Sequence, residues 1–253
     1  MKVPVINLQN EKTGEVEVPK VFSTTVRHDV IKKAVVHLQS TRFQPQGRDP
    51  MAGKHNTAES RGTGHGIARV PRLKGSSRAA FGVSIVGGHA AFPPRSEKVI
   101  VKRINKKEKR FAIRSGIAAT AVKELVEKRG HKFMSEHLPI VVSNELESLE
   151  KTKDVEAVFQ AIGIQEDVER ADRRKVRAGK GKMRGRKHKK GKGPLIVVSE
   201  DNGIGYAARN LPGVEICSVA GLNAELLAPG AHPGRLVIWT EAAFGEIDEV
   251  WME

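Results

Sequence analysis

Cationic side chains are the residues of this sequence with the clearest chemical purpose. Twelve of the twenty residues from 173 to 192 are Lys or Arg and none is Asp or Glu, in a chain of net charge +15. A second cluster lies in ARVPRLKGSSR at 68–78, where proline and glycine separate the cations and prevent one helical face. Side chains spread in this way suit contact with phosphates arranged around the segment. The cations of the second cluster are Arg69, Arg72, Lys74 and Arg78.

Residues that could perform catalysis are few. Glu200 and Asp201 follow a predicted strand and could act as an acid/base pair or as metal ligands. The favoured interpretation is structural, with one acid in a turn and the other at the start of a helix. Cys217 lies in an apolar strand, which is typical of a core residue. The glycine-rich stretch at 62–66 follows no strand and lacks the Gly-Lys-Ser/Thr ending of a P-loop. Histidine spacing gives no zinc motif, and no nucleophile elbow occurs. The sequence therefore predicts no enzyme, no metal and no cofactor.

The elements that must position the cations alternate between strands and helices. This alternation predicts an α/β fold with a mainly parallel sheet that has helices on both faces. Pro19 restricts the second strand to an edge, and Gly130 marks a helix end. Strands are predicted at 3–8, 15–21, 138–143, 195–199, 214–219 and 236–240. Helices are predicted at 27–39, 105–128, 153–162, 166–175, 206–210, 223–227 and 240–251, with Asn105 and Thr240 as caps.

Two segments interrupt this pattern in a single predicted domain of residues 1–253. The first, the insertion at 44–97, has nine Gly, five Pro, eight Lys/Arg and only three acids in 54 residues. Loops longer than about 12–15 residues are usually functional or disordered, so a disordered surface insertion is the alternative. The second, the basic segment at 173–192, is predicted to stay extended and solvated by self-repulsion until a polyanion binds.

A third cationic site is predicted at the start of the helix beginning near 105. Lys106, Lys107, Arg110 and Arg114 place positive charge at the end where the helix dipole disfavours it. A polyanion against that end would remove the cost.

Composition narrows the partner. Aromatic content of 4% is too low for recognition of single strands mainly by stacking. No apolar run is long enough for a transmembrane helix, and the N-terminus lacks a signal-peptide core. A single cysteine fits a reducing cytosol. Nucleic acid is therefore the expected partner, and membrane is not.

Five stretches together carry a resemblance to a known family. They are AESRGTGHGIARVPR (58–72), RFAIRSGIAATA (110–121), RAGKGKMRGR (177–186), SEDNGI (199–204) and GRLVIWTEAAF (234–244). On these the chain resembles the family of large ribosomal subunit protein four, in its archaeal and eukaryotic branch.

The resemblance implies a three-layer α/β/α domain on the large subunit of the cytoplasmic ribosome, with a long extended internal loop threading through ribosomal RNA. It also implies that the loop tip helps form the narrow point of the polypeptide exit tunnel, beside a second ribosomal protein and the nascent peptide. The implied tunnel-facing residues are Arg72, Lys74, Gly75, Ser76, Ser77 and Arg78.

The residues predicted to bind RNA follow from both lines of reasoning. Two other functions stay open: an RNA-modifying enzyme, suggested by the α/β alternation, and a DNA-compacting protein, suggested by charge alone. The predicted RNA-binding residues are Arg42, Arg48, Lys54, His55, Arg61, His65, Arg69, Arg72, Lys74, Arg78 and Arg95, then Lys106, Lys107, Arg110 and Arg114, and finally Arg173, Arg174, Arg177, Lys180, Lys182, Arg184, Arg186 and Lys187.

Overall fold

A computed structural model describes residues 2–135 and 137–252. The chain divides into two compact units, a larger one of residues 1–38 and 103–253 and a second one of residues 39–102. All the strands of the described chain belong to the larger unit.

The strands of the main sheet and most helices follow the sequence prediction with bounds that differ by a few residues, whereas the two short strands at 175–176 and 188–189 were not predicted. The strands are β1 Lys2–Ile6, β2 Lys12–Glu17, β3 Ile140–Val142, β4 Lys175–Val176, β5 His188–Lys189, β6 Leu195–Val198, β7 Glu215–Ser218 and β8 Val237–Thr240. The helices are α1 His28–Ser40, α2 Lys106–Thr120, α3 Lys123–Arg129, α4 Thr152–Ile162, α5 Gln165–Asp172, α6 Ile204–Ala208, α7 Ala224–Leu227 and α8 Glu241–Met252.

Six strands form one sheet in the order β2-β1-β3-β8-β6-β7. β2 pairs antiparallel with β1, and every other neighbouring pair is parallel. The predicted mainly parallel sheet is confirmed, and β2 lies at its edge as predicted, although β2 ends at Glu17, before Pro19.

Alternate residues of the central strands enter two separate apolar clusters, because successive side chains of a strand point to opposite faces. Val197 and Trp239 pack with residues of α1, α2, α7 and α8. Ile196 and Ile238 pack with residues of α4, α5 and α6. All four residues of β6 are buried, which explains why this strand reads as a continuous apolar run.

The single helix predicted over 105–128 is wrong, because α2 and α3 are separate helices. Val122 between them has extended backbone angles. The hydroxyl of Thr120 donates to the carbonyl of Ile117 at 2.7 Å, and such a local bond competes with the helical ladder. Asn105 occupies the cap position of α2 without a side-chain cap bond, whereas Gly130 ends α3 with φ +90°, as predicted.

The basic segment is not extended, contrary to the prediction from self-repulsion. β4 and β5 pair antiparallel, so residues 173–192 form a hairpin, called the basic hairpin below. Arg177 donates its backbone N–H to Lys187 at 2.8 Å and its Nε to the carbonyl of Arg186 at 3.2 Å. These bonds oppose the repulsion between side chains that point into solvent. The helix predicted over 166–175 ends at Asp172, where the hairpin begins.

Candidate nucleic-acid interface

The second unit is a folded-back chain without regular elements. Residues 41–102 are all described and contain no helix or strand. Its two limbs meet where the N–H of Arg48 donates to the carbonyl of Pro94 at 3.0 Å. Farther along, Gly53 has φ +80°, and a Cβ there would lie 2.6 Å from the carbonyl oxygen of Gly88. Only glycine permits that backbone angle together with so close an approach.

The predicted loop tip is a tight turn held by backbone hydrogen bonds. Arg72 and Glu59 exchange backbone N–H and carbonyl bonds of 3.0 and 3.1 Å. Beyond them, Leu73 donates its N–H to Arg78 at 3.2 Å, which closes the turn around Gly75. The structure therefore brings the predicted tip residues 72–78 together in one turn.

The tip cations differ in what they do. Arg72 is half-buried, and its guanidinium donates to the carbonyl of Ser77. Lys74 lies 3.5 Å from Glu59, but both side chains are more than two-thirds exposed. Arg78 is exposed as well. Lys74 and Arg78 can therefore reach a ligand, while Arg72 also supports the turn.

The remaining predicted cations of the second unit lie mostly at its surface. Lys54 is half-buried. The sequence analysis did not single out two exposed aromatic residues of this unit: Phe43 is 65% exposed and Phe92 is 96% exposed. The exposed predicted residues are Arg42, Arg48, His55, Arg61, His65, Arg69 and Arg95.

The basic hairpin presents nearly all of its charge to solvent. Arg177 is half-buried because its guanidinium bonds across the hairpin. The other predicted binding residues of the hairpin are exposed, namely Arg173, Arg174, Lys180, Lys182, Arg184, Arg186 and Lys187.

The four cations predicted to bind RNA at the start of α2 differ in their exposure. Lys106, Lys107 and Arg110 are exposed. Arg114 is half-buried and donates its Nε to the carbonyl of Trp251. Arg114 therefore fastens the last helix to α2, a role that sequence periodicity did not indicate.

A buried ionic cluster below α5 was not predicted. His131 Nδ1 lies 2.9 Å from Asp167 Oδ2, and Arg170 Nε donates to Asp167 Oδ1 at 2.9 Å. Burial lowers the pKa of His131 below its ordinary value, although Asp167 opposes this. Burial would raise the pKa of Asp167, but the hydrogen bonds from His131 and Arg170 outweigh it and the pKa is lowered. A neutral imidazole beside a carboxylate follows.

A second unpredicted cluster surrounds Arg235, which is fully buried just before β8. Its guanidinium donates to Glu215 Oε2 at 2.5 Å and to several backbone carbonyls. The only sequence signal was a charged residue adjoining an apolar strand. The carbonyl acceptors are those of Gly193, Pro194, Gly213 and Leu226.

Of the three residues weighed for catalysis, Glu200 is exposed, and the surroundings of Asp201 and Cys217 are structural. Asp201 lies in the turn before α6, where its Oδ1 accepts from the N–H of Gly203 at 3.3 Å and of Gly205 at 2.8 Å. Burial raises the pKa of Cys217 to about 11, so its thiol stays protonated at neutral pH. Across residues 2–135 and 137–252, no group of His, Cys, Asp and Glu could hold a metal ion. None of the described helices is long and apolar enough to span a bilayer.

Comparison with known proteins gives a consistent result. A model of the "Ribosomal protein L4/L1 family" matches residues 16–250. The chain belongs to this family. The large ribosomal subunit protein uL4 of Archaeoglobus fulgidus is 53% identical over 253 residues, which cover all of both chains. That of Methanosphaera stadtmanae is 49% identical over 254 residues, covering all of this chain and 98% of the relative.

Family membership confirms the resemblance drawn from the five sequence stretches. The Methanopyrus kandleri protein of the same name is 48% identical over 256 residues, with 98% of each chain covered. These relatives are archaeal, as the motifs indicated. The L4/L1 family consists of ribosomal proteins, so the prediction that the chain is not an enzyme is also confirmed.

Proposed function

We propose that this protein is a structural constituent of the large subunit of the cytoplasmic ribosome, where it binds ribosomal RNA through the second unit, the basic hairpin and the start of α2. The observation that carries the proposal is the separation of charge from core. The exposed cations are concentrated on these three parts, and neither the second unit nor the basic hairpin contributes a residue to the two apolar clusters. Folded RNA is recognised through shape, phosphates and 2′-hydroxyls, which such surfaces can contact.

The proposal includes a role for the turn at 72–78 in the wall of the polypeptide exit tunnel, next to a neighbouring ribosomal protein and the nascent peptide. The turn is held by its own hydrogen bonds and exposes Lys74, Gly75, Ser76, Ser77 and Arg78. A small polar and cationic turn can line a passage without an apolar surface that would retain a peptide. The larger unit would anchor it as a three-layer α/β/α domain, which the two apolar clusters support.

Deleting residues 51–92 tests this division. Because the limbs already meet at Arg48 and Pro94, a short glycine-serine link can join Pro50 to Pro93. We expect the variant to fold, with an unchanged cooperative thermal transition, and to bind large-subunit rRNA more weakly. In reconstituted subunits, its removal should abolish cross-links between a nascent peptide and this protein.

A control variant that alters only charge separates the effect of the inserted chain from the effect of its cations. Substituting the exposed Arg61, Arg69, Lys74 and Arg78 by glutamine keeps the insertion but removes four cations. We expect this control to lose rRNA affinity while keeping its peptide cross-links. A deletion variant that fails to fold would contradict the division into anchor and insertion. Undiminished peptide cross-links in that variant would contradict the tunnel role.

A further inference from the structure

A cleft of about 810 Å³ opens in the larger unit at the foot of the basic hairpin. Side chains from the end of α3, from α5 and from the foot of the basic hairpin line it: Lys128, Arg129, Arg170 and Lys192. Leu125, Pro229 and Pro233 add an apolar side. A cavity of this size accommodates a nucleotide-sized group rather than a lone small ion.

Arg129 is the central cation of the cleft, and no described carboxylate forms an ion pair with it, although Glu225 also lines the cleft. Its Nη2 donates to the carbonyl of Pro229 at 3.0 Å and its Nη1 to that of His232. Burial and the nearby guanidinium groups of Arg235 and Arg170 lower the pKa of Arg129 to about 10. A half-buried cation in such surroundings gains stability when an anion arrives.

The two cations of the opposite wall are each paired with an acid, Arg170 with Asp167 and Lys192 with Glu215. Arg170 is held by the buried carboxylate of Asp167, and its Nη2 donates to the carbonyl of Lys192 at 2.7 Å. This bond ties the foot of the basic hairpin to the cleft. A chain of phosphates that follows the exposed cations of the hairpin would therefore arrive at the cleft.

We propose that this cleft is a phosphate-binding site that receives a nucleotide unit, with Arg129 and Lys128 on one side and Arg170 and Lys192 on the other. The inference rests on the proposed RNA-binding function and assigns it a defined pocket in the larger unit. The phosphate belongs to the RNA backbone or to a free nucleotide, and the two sources are separated below. Leu125 and the two prolines would face the sugar or the base.

Lys128→Glu in the full chain is the test variant, because Lys128 is exposed and its loss leaves no buried partner. Lys153→Glu on α4 is the control, with the same change of net charge on an exposed lysine outside the cleft. Binding to a large-subunit rRNA transcript is measured across a series of salt concentrations. We expect Lys128→Glu alone to reduce the slope of log affinity against log salt by about one, the signature of one phosphate that the protein no longer neutralises.

Calorimetric titration with adenosine 5′-monophosphate forms the second arm. If the cleft takes free nucleotide, the unmodified chain and Lys153→Glu bind it, and Lys128→Glu binds about fivefold more weakly. If RNA is the source, only the salt slope changes. Equal slopes for both variants, together with no nucleotide binding that depends on Lys128, would overturn the proposal.

The arms also distinguish this site from the general function. An unmodified chain that binds no rRNA would contradict the proposed function, while the nucleotide arm still decides whether the cleft holds phosphate. Arg129→Lys provides a further check, since it keeps the charge but loses the planar group. Its slope should match that of the unmodified chain.

Discussion

At the scale of single residues, Arg235 illustrates how a cation can serve the fold instead of a ligand. Its buried guanidinium satisfies Glu215 and four backbone carbonyls near the start of β8. Replacing Arg235 by methionine should cost about 3–5 kcal/mol in the free energy of unfolding, because four carbonyls lose their donor and Glu215 keeps only Lys192 as a partner. Urea denaturation measures this.

Arg209→Met is the matched control, because Arg209 is exposed. Its guanidinium carbon lies 5.0 Å from the centre of the Tyr206 ring. A surface change of this kind should stay within about 0.5 kcal/mol. Similar losses of unfolding free energy in the two variants would show that the hydrogen bonds of Arg235 do not stabilise the fold.

His131 predicts a pH dependence of stability. Its folded pKa lies below the ordinary 6.5, so the unfolded chain takes up a proton first as the pH falls. Stability should therefore be complete above 6.5 and decline as the pH drops below it. Asp167, whose pKa is lowered from 3.8, adds loss in the same direction only at still lower pH.

The measurement compares urea midpoints at about pH 7.5 and about pH 5.5. In His131→Gln the amide can still donate to Asp167 but does not titrate, so the difference between the two pH values should shrink. An unchanged difference would exclude His131 as its source.

At the scale of elements, alanine substitutions at two glycines with open space around them should change the stability of the fold in opposite directions. Gly130 ends α3 at φ +90°, whereas Gly245 lies inside α8, and a Cβ at either position meets nothing within 4 Å. Gly130→Ala should destabilise by about 1 kcal/mol because of its backbone angle. Gly245→Ala should stabilise by about 0.5–1 kcal/mol. Thermal melts of both variants test this contrast, and equal changes in melting temperature would refute it.

The basic hairpin is held by backbone bonds, so its charge can be removed without unfolding it. Substituting Lys180, Lys182, Arg184 and Lys187 by glutamine should lower the salt slope of rRNA binding by about one for each phosphate that is no longer neutralised. The control removes four exposed lysines of the larger unit. An equal effect of that control would show that only net charge matters. The control positions are Lys20, Lys32, Lys151 and Lys153.

At the scale of the whole molecule, the second unit and the basic hairpin are two of the three cationic parts proposed to bind rRNA. Their effects on rRNA binding should be more than additive, since each part raises the effective concentration of the other on the same RNA. Combining the 51–92 deletion with the four hairpin substitutions should therefore abolish specific binding. The thermal transition of the larger unit should persist, and filter binding with circular dichroism measures both. Binding that survives in the combined variant would place the main contacts elsewhere.

The sequence by itself determined the approximate positions of the six strands of the main sheet, its mainly parallel pairing, the helix end at Gly130 and the location of the cationic segments. Each depends on neighbouring residues, through side-chain periodicity, glycine backbone angles or local charge. Thr240 likewise caps α8, accepting from the N–H of Ala243 at 3.4 Å.

Only the tertiary structure decided which cations face solvent and which serve the fold. Arg114 meets Trp251, and His131 meets Asp167 across 36 positions of sequence. Such pairs, and the cleft at Arg129, depend on the path of the chain through space. A one-dimensional pattern carries no distance between residues far apart, so burial and pairing of charge emerge only when the core has formed.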